Sequence, residues 1–146
     1  MSRARRFAPV HDIAREAESS CAARVAGMER RLQESERRLQ ELRVYRKEYQ
    51  DSLKARATQG LDVRSLREYQ AFLARLTAAI AAQETLVEQL QGSCKRERND
   101  LRLAIARRQA LGKVIERVHI EERRMEERRY QIEQDERAMR SVRVGP

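Results

Sequence analysis

The sequence predicts an all-α fold: two long helices forming an antiparallel coiled-coil hairpin, the second helix longer and ending in a C-terminal overhang. Three observations predict it. Of 146 residues, 38% are charged and only two are Phe, four Tyr and none Trp, which is too little bulky apolar material for a globular core of this length. Five Gly and two Pro leave the interior almost free of breakers, in a composition typical of long helices. Apolar residues recur at a 4-3 spacing in two runs separated by a single glycine.

The first run steps through Ala14, Glu18, Cys21, Val25, Met28, Leu32, Ser35, Leu39, Leu42, Arg46, Tyr49 and Leu53, nine of the twelve being apolar. It predicts helix one over about 9–57, with Pro9 in the first turn, where its missing N–H is no loss. The turn falls at 58–65. Gly60 is the expected left-handed stop, and Ser65 with Glu68 fits a capping box, with Asp62 an alternative cap. The second run goes from Leu66 through Leu76, Gln83 and Cys94 to Leu111 and Met139, sixteen of twenty-two positions apolar, and predicts helix two over about 66–140. The whole chain, 1–146, reads as one hairpin. Helix one would be roughly 70 Å long and helix two roughly 110 Å, at about 1.5 Å per residue. A short link favours antiparallel pairing, with facing positions adding to about 120. Helix one then runs out near Ala14, and about thirty residues of helix two lack an internal partner.

Other function classes find little support. The net charge is +9, but acids are threaded among the arginines, as in Glu121-Glu122-Arg123-Arg124, the pattern of a solvated helix face rather than a nucleic-acid site. No apolar run is long enough for a membrane span or a secretory signal. Cys21 and Cys94 form neither a disulfide framework nor a metal motif, so both are expected reduced, as apolar seam fillers in a cytoplasmic protein. His11 and His119 are isolated, and no phosphate loop or nucleophile motif occurs. Neither catalysis nor a cofactor is expected.

Two surfaces are candidates for partners. The overhang carries Leu111, Ile115, Val118, Met125, Ile132 and Met139, a stripe that either binds another protein, self-associates or stands in water. Just after the turn, Phe72, Ala79 and Leu86 lie beside the seam and, with Leu76, Gln83 and Leu90, widen it into a second ridge, either a docking surface or the hairpin's own edge.

The segments Leu39-x-x-Leu42-x-x-Tyr45-Arg46-x-Glu48-Tyr49 and Tyr69-Gln70-x-Phe72-Leu73-x-x-Leu76-x-x-Ala79-Ile80-x-x-Gln83, flanking the glycine turn, resemble the FliJ family of the flagellar type III export apparatus. The resemblance spans about residues 10–140. It implies a protein shaped like the central stalk of rotary ATPases. Such a stalk inserts its free helix ends into the flagellar export ATPase ring, promotes ring assembly, contacts the export gate protein FlhA and cycles export chaperones. It implies a cytoplasmic location, peripheral to the inner membrane at the flagellar base. Phe72, Leu76, Ala79 and position 83 would form the gate contact; Gln83 is this chain's residue there. The overhang stripe would serve the ring. The equivalent stalk of a virulence secretion system and a basic scaffold for an acidic polymer are the alternatives.

Overall fold

The computed structural model describes residues 3–144, and these form two helices, α1 (Arg3–Gln59) and α2 (Val63–Val144). No strand occurs among the described residues. The chain divides into two compact units, Cys21–Leu101 and Met1–Ser20 with Arg102–Pro146. In each, a stretch of α1 packs against a stretch of α2.

Unit Cys21–Leu101 holds the turn. Gly60 takes a φ of +94°, a left-handed conformation costly for a residue with a Cβ, and its N–H reaches the Ala57 carbonyl at 3.3 Å. Asp62, not Ser65, caps α2: its Oδ1 accepts the Ser65 N–H at 3.1 Å, while its carbonyl takes the Leu66 N–H. Helix two therefore starts at Val63, three residues before the expected Leu66, and the turn narrows to Gly60, Leu61 and Asp62. Hydrogen bonds from Ser65, its hydroxyl first, hold the Asp62 carboxyl below the usual range.

The core of this unit is the seam. Leu39, Ile80 and Val87 cluster with Leu32 and Leu42 around them. Polar groups on the seam are matched: Gln83 Nε2 donates to the Ser35 carbonyl at 3.0 Å, and Glu97 accepts from Arg24 at 3.3 Å. One edge carries the ion pairs Arg43–Glu84 at 3.1 Å and Glu29–Arg98 at 2.9 Å. Such exposed pairs fix register more than they add stability. Facing seam positions add to about 122, two more than the expected sum, which is within one turn of helix. Cys21 and Cys94 are buried free thiols, as expected; Arg24 donates to Cys21 Sγ at 3.1 Å. In this register they are offset by seven residues, about 10 Å along the axis, too far for a disulfide.

The other unit differs from expectation. α1 begins at Arg3, six residues before Pro9, and the Arg3 N–H binds Glu122 Oε1 at 2.8 Å. Pro9 is thus inside the helix, exposed on its outer face. The seam continues backward through His11, Phe7 and Ala4 at the same 4-3 spacing, and Ala4 and Ala14 are buried. Opposite them Ala104 and Val118 are buried too. The charged seam residues Glu18 and Arg108 pair with each other, both half-buried.

Candidate functional site

The ridge after the turn rests on an aromatic cluster. Phe72 packs on Tyr49 with ring centroids 4.5 Å apart and meets Tyr45 edge-on at 6.2 Å. Tyr49 also contacts Tyr69 at 5.0 Å, and the Arg56 guanidinium lies 5.7 Å over the Tyr69 ring. Desolvation within this cluster, more than its neighbours' charges, pushes the Tyr49 hydroxyl pKa up. Phe72 is half-buried, so it belongs to the helix-helix contact as well as to the ridge. Leu76 is buried in the seam, and Gln83 is engaged with Ser35. Ala79 is the one of the four ridge residues exposed to solvent, with the exposed Leu86 one heptad on. Spacing could place these residues on one face, but could not show that Phe72 leans onto α1.

The stripe of helix two divides in two. Val118 is buried and Leu111 and Ile115 are half-buried, so the expected overhang is shorter. The reason is that α1 starts earlier than Pro9 suggested and its first turns cover those three residues. Met125, Ile132 and Met139 remain 61%, 58% and 67% exposed, on the same helical face at seven-residue intervals. Tyr130, also exposed, lies on the other side of the helix. The three stripe residues follow Glu122, whose carboxylate accepts the Arg3 N–H.

Among the described residues no group of three or more acidic, His or Cys side chains could hold a metal, and no helix is long and apolar enough to cross a membrane. The exposed apolar stripe of α2 and the small ridge on the paired helices are surfaces of the kind that bind other proteins. The family model for the flagellar FliJ protein matches residues 2–145, nearly the whole chain. The chain belongs to the FliJ family. No curated protein and no solved structure matches it. Membership in the FliJ family makes it a component of the flagellar export apparatus, in a family of structural export components rather than enzymes.

Proposed function

We propose that this FliJ-family chain is the stalk of the flagellar export ATPase, with Met125, Ile132 and Met139 seated in the ATPase ring and the ridge at Ala79 turned to the export gate protein FlhA. In this role it couples ring to gate at the cytoplasmic face of the inner membrane and hands empty export chaperones on. The observation that carries the reading is the run of three large apolar side chains left exposed in the last third of α2, where none of the described residues buries them. Leu111, Ile115 and Val118 support the stripe from within the paired length rather than contacting the ring.

The ridge reading rests on Ala79, with Phe72 holding the ridge in place and Leu76 and Gln83 beneath it. A pull-down from a lysate of flagellated cells tests both halves. Wild-type protein should retain the export ATPase and FlhA. The triple variant Met125→Asp, Ile132→Asp, Met139→Asp should lose the ATPase and keep FlhA, and Ala79→Asp should do the reverse. Retention of the ATPase by the triple variant would remove the stripe from the account.

A further inference from the structure

The unit built from the first turns of α1 and the middle of α2 has an open edge that the seam does not use. On α1, Val10 and Ile13 stand beside the seam, 45% and 65% exposed. On α2, Leu103 and Val114 do the same, 59% and 39% exposed, with the exposed Ala110 between them. Within each helix these residues share one face at spacings of three, seven and eleven. In an antiparallel pair the residues just before the a positions of both helices line the same edge, so Val10 and Val114 flank one groove. The position of His11, whose Nε2 would lie 3.7 Å from a Cβ on Gly112, fixes that register locally. The two rows therefore form an apolar strip along one side of this unit.

The charges beside the strip are mainly basic. Arg107 and Arg117 lie on the same face of α2, both exposed and neither in an ion pair. Asp12, Glu16 and Glu116 of this unit occupy other faces of their helices, and Glu121 is the one carboxylate at the strip's far end. Exposed Asp100, one turn before Leu103, and Glu121, four residues after Arg117, are the acids on this edge, and the exposed Arg3, Arg6, Arg107 and Arg117 outnumber them.

We propose that this edge docks an amphipathic helix of a partner protein, one that lays apolar residues against Val10, Ile13, Leu103 and Val114 and carries Asp or Glu along its flank toward Arg107 and Arg117. The site is separate from the stripe at Met125–Met139 and from the ridge at Ala79, and does not depend on either. Charge complementarity selects an acidic helix, and the apolar strip excludes a purely ionic ligand.

The test uses the full chain and two fluorescent helical peptides of identical leucine face, one with Glu on its flanks and one with Lys. Anisotropy should show saturable binding of the Glu peptide and at least tenfold weaker binding of the Lys peptide. Ile13→Asp with Leu103→Asp should weaken the Glu peptide at least tenfold while helicity and melting stay unchanged, since both side chains are exposed. Arg107→Glu with Arg117→Glu should narrow the gap between the two peptides. No binding of the Glu peptide, or equal affinity for both, overturns the proposal. Sedimentation showing a dimer that the Ile13→Asp, Leu103→Asp variant dissolves would assign the edge to a second copy instead. Binding of anionic vesicles that survives that variant, with no peptide binding, would assign it to a lipid surface.

Discussion

Val118 separates the paired part of α2 from the free part, and replacing it measures where that border lies. The side chain is 8% exposed, so nearly all its apolar surface is removed from water when the first turns of α1 close over it. Losing that burial costs about 1.5 kcal/mol, and placing a carboxylate in the same seam adds a desolvation cost of at least similar size. Because the site lies near the start of α1, the helix can relieve the cost by opening residues 3–14 locally instead of unfolding the molecule. The expected effect is therefore a local loss of about 3 kcal/mol, or roughly a hundredfold faster opening. Hydrogen exchange read residue by residue should show Phe7 to Ala14 exchanging about a hundredfold faster in Val118→Asp, with the segment around Leu39 unchanged. Ile132→Asp, at a 58% exposed position, should leave both segments alone. Unchanged protection of residues 3–14 in Val118→Asp would show that α1 does not cover this part of α2.

Further outcomes follow from the same geometry. Pro9→Ala should strengthen the first turns of α1 by up to about 3 kcal/mol, seen as slower exchange of residues 3–8, because Pro9 lies inside the helix without an N–H to donate. Phe72→Ala should lower hairpin stability by about 1 to 2 kcal/mol in urea titrations, through its contacts with Tyr45 and Tyr49, whereas Ala79→Asp should leave the midpoint unmoved. Asp62→Ala should cost about 1 kcal/mol through loss of the α2 cap. Since the Asp62 carboxyl is depressed in the folded state, its contribution is complete above an unfolded value of about 3.9 and fades as pH falls through the lower folded value. The Asp62→Ala difference should therefore shrink only in strong acid; a constant gap down to pH 2 would contradict the cap.

Much of this architecture is legible in the sequence because a coiled coil writes its packing along the chain. The seam from Ala14 to Leu53 and from Tyr69 to Val118 is the seam observed, whereas Leu66, expected to start the second run, is exposed; Gly60 marks the turn because only a left-handed residue fits there. The helix ends were harder. Ser65 with Glu68 and Asp62 are both sound capping signals, and the choice between them depends on how tightly Gly60 bends the chain. Pro9 suggested a helix start, yet a proline on the outer face can be carried inside a helix when Ala4 and Phe7 continue the seam behind it. Those two residues kept the 4-3 spacing, and the opposite charges of Glu18 and Arg108 on facing seam positions were a further sign that α1 reaches that far. The role of Phe72 was not legible, since whether a residue beside the seam points to solvent or across to Tyr45 and Tyr49 depends on register to within one turn.

The most direct measurement of the central claim is ring assembly by the purified flagellar export ATPase, counted as hexameric rings in negative-stain images with and without this chain. The account predicts that wild-type protein raises the fraction of rings, that Val118→Asp does so partly, and that the Met125→Asp, Ile132→Asp, Met139→Asp variant does not. A ring count that stays flat with wild-type protein, or rises equally with the triple variant, would contradict a stalk that works through the exposed end of α2.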